Sequence, residues 1–304
     1  MTVRRWSHRA VTTSHRTAPE VAVERHGRAV TTSHRTMPEA AVERRVDTVG
    51  PGRVFVAVLS RDLFVTWREL PTFLVQALLQ PLFLLFVFGK VLTELGYARG
   101  DYAQLLLPGI VAMTAFLTAL QNTAFPLVID FGFLKEIEDR LLAPIPTSLV
   151  AVEKVVFSTL RALVGAVLMF PIGELVLGSI SWRAAGIPLL AMFLVLGAVC
   201  GAAIGLTVGT LVPPNKINIM FAVILTPLLF TGATQYPWPQ LDRLRWFQVV
   251  SAGNPLTYVS EGMRGAMLPA VPHIPPWLGM PVLTVFIAVF MAIGIRGFRR
   301  RAID

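Results

Sequence analysis

Beyond residue 70 the chain alternates between long apolar stretches and polar connections of two kinds, short and long. Six stretches reach the ~20 apolar residues that a membrane-crossing helix needs. They lie at about 71–92, 104–129, 150–178, 187–211, 217–235 and 277–296. Connections near 93–103, 179–186 and 212–216 are short, whereas 130–149 and 236–276 are long. Ahead of the first span, residues 54–70 read VFVAVLSRDLFVTWREL. At the helical angle of ~100° per residue, Arg61, Asp62, Arg68 and Glu69 share one face and Val56, Leu59, Leu63 and Leu70 the other. That pattern predicts an amphipathic helix lying on the membrane, with Pro71 starting a new direction.

The two long connections carry patterns of their own. In the first, Leu134, Ile137 and Leu141 recur on one face of a short helix. Lys135, Glu136, Glu138, Asp139 and Arg140 cover the rest, and Pro144 and Pro146 end it. Such a stripe either docks in a partner's groove or packs on its own bundle. In the second, Trp238, Leu241, Leu244 and Phe247 recur every three residues. Asn254 then offers an N-cap and Pro255 suits the first helical position, so a helix runs to about Met267. Within it Glu261 and Arg264, three apart, can pair. The prolines at 269, 272, 275 and 276 forbid its continuation.

Composition agrees with this pattern. Of 304 residues 54% are hydrophobic and 15% charged, where soluble domains average about 25% charged. A net charge of +9 reports topology here rather than nucleic-acid binding. With both termini inside, inner segments hold twenty of the 27 Lys and Arg, outer segments six, and Arg161 lies within span 3. Setting aside the nine before Gly52 leaves eleven against six. The fold class is therefore an all-α polytopic membrane protein with six transmembrane helices and cytoplasmic termini. It has an N-terminal interfacial helix, and a re-entrant helical pair on the outer side between spans 5 and 6.

Residues 1–51 form a separate basic tail, too polar to build a core. RAVTTSHRTAPEVAVER at 9–25 recurs as RAVTTSHRTMPEAAVER at 28–44, a tandem repeat of 17 residues. Two copies are too few for a solenoid. The tail is read as disordered, touching anionic lipid or carrying a duplication without function. Its first fifty residues offer no apolar signal region, so the first span is expected to direct insertion.

No catalytic constellation emerges. A phosphate-binding G-x-x-x-x-G-K-[ST] loop is absent, since Gly89-Lys90 is followed by Val91 and has Leu84 where the first glycine belongs. H-E-x-x-H and G-x-S-x-G are also missing. Four of the five histidines fall in the tail, so no catalytic, cofactor or metal residue is assigned. Inside the spans, Gly197, Gly201, Gly205 and Gly209 form a small-residue stripe. It serves packing within the subunit or a dimer seam. Arg161, Gln121 and Asn122 are candidates for a substrate path. The alternatives are a snorkelling arginine and polar groups that bond neighbouring helices.

Two segments carry a family resemblance. NPLTYVSEGMRGAML before the last span resembles the C-terminal signature of ABC-2-type exporter permeases. EIEDRLLAPIPTSLVAVEKVV, with its LLAPIP and Lys154, resembles the segment between their second and third spans. The resemblance covers roughly 52–300 and is nearest in kind to the daunorubicin-resistance permeases. It implies a six-span permease working as a homodimer or paralogous heterodimer in a bacterial cytoplasmic membrane. A separate cytoplasmic ABC ATPase subunit would hold ATP and Mg, and this chain no cofactor. Leu134, Glu136, Ile137, Asp139, Arg140 and Leu141 would couple to that ATPase. Asn254, Pro255, Glu261 and Arg264 would form an outer gate. The implied activity is export of amphiphiles such as drugs, lipids or glycoconjugates, by a transport subunit that is not itself an enzyme. A gradient-driven carrier is the alternative, though the spans supply few buried carboxylates for one.

Overall fold

A computed structural model of the chain describes residues 51–97, 102–131, 146–178 and 184–303. Every regular element among the described residues is helical. Helix α1 (Pro51–Leu84) runs on through a π-helical stretch, Leu85–Val91, into a last turn, Leu92–Glu94. Then follow α2 (Tyr102–Ile129), α3 (Thr147–Leu177), α4 (Ile187–Leu211) and α5 (Ile217–Thr231). A 3-10 segment, Trp238–Leu244, precedes α6 (Arg245–Ala252), α7 (Pro255–Met267) and α8 (Pro276–Ile303). Five helices among the described residues are long and apolar enough to cross a membrane, and Phe221–Thr231 is a shorter apolar one.

Helix α2 is the axis of the bundle. Its most apolar window is 89% buried, against 17% for the last helix. Helices α3, α4 and α7 all pack against it. The approach of α4 is close because α4 presents glycine there. A Cβ on Gly201 would lie 2.1 Å from the Phe116 carbonyl oxygen, and one on Gly205 2.4 Å from that of Leu120. A Cβ on Gly209 would meet Leu127 and Ala124 of α2, and one on Gly197 would meet Val259 of α7. All four glycines thus face helices of the same chain. Thr207 locks the next interface by donating to the Phe290 carbonyl of α8 at 2.7 Å. Arg301 of α8 reaches back to the C-terminal carbonyls of α4, Gly209 and Val212, at 3.4 and 3.1 Å. A cation there satisfies orphan acceptors and complements the helix dipole.

Three expectations meet a different structure. Pro71 does not end a helix: the helix is continuous from Pro51 through both Pro71 and Pro81. A proline removes one helical N–H, but in an apolar bundle packing from neighbouring helices holds the helix together across it. The stretch at 54–70 is therefore one end of a 43-residue helix, Gly52–Glu94, about 65 Å long at the usual rise. Its polar face is not uniformly solvated either. The Asp62 side chain is 12% exposed and its carboxylate lies 3.5 Å from Lys154 Nζ on α3. Val56, Phe64 and Trp67 instead stand exposed, as apolar and Trp side chains do beside lipid.

The fifth apolar stretch, expected over 217–235, is helical only over Ile217–Thr231. The loop residues Leu134, Glu136, Ile137, Asp139, Arg140 and Leu141, and the repeated tail before residue 51, lie outside the described residues.

Candidate functional site

Helix α5 has 15 residues, about 22 Å of rise, and ends where its last carbonyls have no helical donor. The chain turns at Gly232 and Ala233, and Ala233 takes φ 49°, a left-handed conformation unusual for a residue with a Cβ. The Phe230 carbonyl accepts from Tyr236 Oη, and four other carbonyls at this end are met by side chains of one other helix. Asn254 Nδ2 donates to Leu228 O at 2.9 Å. Thr257 Oγ1 lies 3.2 Å from Thr231 O. Ser260 Oγ donates to Gly232 O at 2.8 Å. Arg264 Nη2 donates to Ala233 O at 3.0 Å. These residues recur every three or four positions, so they form one polar ridge along α7. All four side chains sit in residues at most 5% exposed.

The start of α7 is local chemistry. Asn254 Oδ1 accepts from Leu256 N at 2.9 Å, with Pro255 in the first turn. Asn254 thus caps its own helix with one side-chain atom and the end of α5 with another. We predict that Asn254→Ala lowers stability by about 2–3 kcal/mol, a lost cap plus orphaned acceptors. Ser260→Ala should lose about 1 kcal/mol. Thermal unfolding of the purified chain followed by size-exclusion chromatography would rank them.

Glu261 and Arg264 are both fully buried and paired, Arg264 Nη1 on Glu261 Oε1. The same Oε1 accepts from Trp238 N at 3.0 Å, and Oε2 accepts from Ile274 N at 3.1 Å. One carboxylate therefore pins the segment before α6, helix α7 and the approach to α8, while its arginine holds the turn after α5. Burial pushes the Glu261 carboxyl above its ordinary range, and Arg264 and the two backbone N–H groups pull it back. Burial likewise lowers Arg264, opposed by Glu261. His273 lies beside Gly265, where an added Cβ would come 2.7 Å from its Nε2. The pair is an interior pin, not an ion pair at a solvated helix end.

Periodicity of three in 238–247 has its counterpart in the 3-10 segment Trp238–Leu244, where side chains three apart eclipse. Trp238 Nε1 donates to Gln248 O at 3.0 Å, closing that segment onto α6.

The other candidates separate. Gln121 lines a cleft between α1 and α2 with Gln76, Gln80, Thr114 and Thr118. The Asn122 amide nitrogen is buried without a partner among the described residues. Arg161 lies elsewhere, its guanidinium 4.1 Å above the Phe73 ring of α1. Sequence reasoning passed over Gln76 and Gln80, although two amides four apart in an apolar stretch are a readable signal.

The match to known proteins follows this architecture. Residues 53–268, from the first turn of α1 to the end of α7, match the ABC-2 type transporter family. The chain belongs to that family. Among its relatives is the inner membrane transport permease YadH of Escherichia coli strain K12, 29% identical over 212 residues. That alignment covers 68% of this chain and 79% of YadH. The candidate transport permease ycf38 of Cyanophora paradoxa is 27% identical over 227 residues, covering 68% of this chain and 72% of ycf38. The family segment of this ABC-2 chain ends at Leu268, one residue beyond α7, so the ridge and its ion pair fall inside the shared part.

Proposed function

We propose that the chain is the membrane half of an ATP-driven exporter, of the daunorubicin-resistance kind, in a bacterial cytoplasmic membrane. It pairs with a second permease and with a separate ABC ATPase that binds ATP and Mg. The family match over 53–268 carries this reading. Both termini are cytoplasmic in it, by the Lys and Arg balance, and α5 is a sixth, short span. Segment 238–267 then enters the outer leaflet and returns. A helix end at membrane depth is tolerated only where protein satisfies its backbone, and the α7 ridge supplies that. Glu261 and Arg264 serve as the latch of an outer gate: they hold four chain segments closed, and opening must move them together. Substrates are amphiphiles, because the embedded polar groups at Gln121, Asn122 and Arg161 lie within long, predominantly apolar helices.

The coupling residues are Leu134, Glu136, Ile137, Asp139, Arg140 and Leu141 on the cytoplasmic connection. Co-expression of the tagged chain with a candidate ABC ATPase, followed by extraction in mild detergent, tests the whole reading. The wild-type chain should retain the ATPase, and Ile137→Asp, which charges the docking stripe, should lose it with an unchanged elution profile. Failure of the wild type to retain any ATPase would favour the gradient-driven carrier instead.

A further inference from the structure

Helix α1 carries a polar interruption near its middle. Gln76 and Gln80, four residues apart, stand on its exposed face. Neither they nor Gln121 make a side-chain hydrogen bond to any described residue. In hydrocarbon an unmet amide is expensive, so something polar must come to this face. The place it would come to is a small well of about 40 Å³, enough for more than one water-sized group. Three amides and the hydroxyls of Thr114 and Thr118 line it. Thr114 donates its proton to Ile110 O at 2.8 Å, so toward the well it acts as an acceptor. Pro81 and Ala77 also line the well. Because proline has no N–H, the Ala77 carbonyl lacks its helical donor and becomes one more acceptor on this wall.

The chemistry of the lining is one-sided. It holds amide donors, amide and carbonyl acceptors and hydroxyls, and no ionisable side chain. Arg161, which would attract an anion, is turned onto Phe73 and is not part of the lining. Met113 and Leu117 continue the wall with apolar surface. We propose that this cleft between α1 and α2 is a binding subsite for the head of an uncharged amphiphile, one bearing hydroxyl or amide groups on an apolar tail. Gln76 and Gln80 hold the head at the rim, and Gln121 with the two threonines receives a single hydroxyl or carbonyl in the well. The proposal rests on the transport reading for its biological purpose but not for its binding chemistry.

The full chain, purified in a sugar-free detergent and placed in phosphatidylcholine nanodiscs, would be titrated with three pyrene-tailed probes. These share one alkyl chain and carry a glucosyl, a phosphate or a trimethylammonium head. The glucosyl probe should bind about tenfold more tightly than either charged probe, the effect of one or two hydrogen bonds. Gln80→Leu and Gln121→Met should each erase that preference, whereas Gln104→Leu, on α2 but outside the cleft, should keep it. Gln80→Asn, which retains the amide one methylene short, should weaken the preference without abolishing it, and it guards against a variant that fails to fold. Equal binding of all three heads overturns the proposal. So does a preference untouched by the cleft variants, or a change in oligomeric mass with the preference intact, which would mean that the amides pair with a second copy. Loss of ATPase co-purification alongside a persistent glucosyl preference would overturn the exporter reading and support the site.

Discussion

Replacing Arg264 by methionine should destabilise the chain by about 3–5 kcal/mol, because it strands a buried carboxylate. Methionine fills much of the same volume, so the loss is electrostatic rather than a cavity. Two consequences separate this from ordinary core damage. With the arginine gone, only the Trp238 and Ile274 N–H groups and the weaker pull of His273 oppose the burial that already raises Glu261. Its folded-state pKa must climb further, so the native variant binds a proton that the unfolded chain releases. Stability of Arg264→Met should therefore fall as pH rises above the ordinary glutamate range, whereas wild type stays flatter. The second consequence is rescue. Glu261→Gln combined with Arg264→Met removes both charges while an amide oxygen still accepts one of the two N–H groups. The double variant should recover more than half of the loss and its pH slope should vanish. Thermal midpoints at pH 5.5 and 8 for the two singles and the double complete the cycle. A double variant no better than Arg264→Met alone would show that the pair is not coupled and would remove the latch.

This site shows which parts of a structure a sequence can display. The Asn254 cap, Pro255 and the end near Met267 were readable because each depends on neighbours within a few residues. The three-residue spacing of Glu261 and Arg264 was readable for the same reason. What the pair does was not. Its partners at Ala233, Trp238 and Ile274 lie 31, 23 and 13 residues away from the groups they bond, and no local pattern encodes such distances. The ridge of Asn254, Thr257, Ser260 and Arg264 left a periodic trace, yet its purpose depends on where α5 stops. That stop comes four residues before the limit of 235 expected for the fifth stretch. Pro71 does not mark a helix boundary, for a related reason. Its effect in water is a broken helix, whereas neighbours in an apolar bundle hold the helix together across it.

Gly201 predicts the other large effect, and its sign can be set against a glycine that should respond in the opposite way. A Cβ at Gly201 would lie 2.1 Å from a backbone oxygen of α2 and 2.9 Å from the attached carbon. No rotamer change relieves a clash with backbone, so Gly201→Ala must push α4 away from α2, the most buried of the five long apolar helices among the described residues. Overpacked cores typically lose 1–3 kcal/mol, and here a helix rather than a side chain must yield, so about 3 kcal/mol or more is expected. Gly209→Ala should lose less, because its nearest clash is 2.9 Å. Gly52→Ala meets nothing within 4 Å on helix α1, and should be neutral or stabilising by up to about 1 kcal/mol through helix propensity. Melting of the three purified variants tests the order. If the glycine stripe were instead a seam between two copies, Gly201→Ala would shift the oligomeric mass and leave the melting of the single chain unchanged. The functional consequence follows from what α2 carries. Moving α4 displaces the helix that presents Thr114, Thr118 and Gln121, so Gly201→Ala should weaken the glucosyl preference even though residue 201 is not part of the cleft lining.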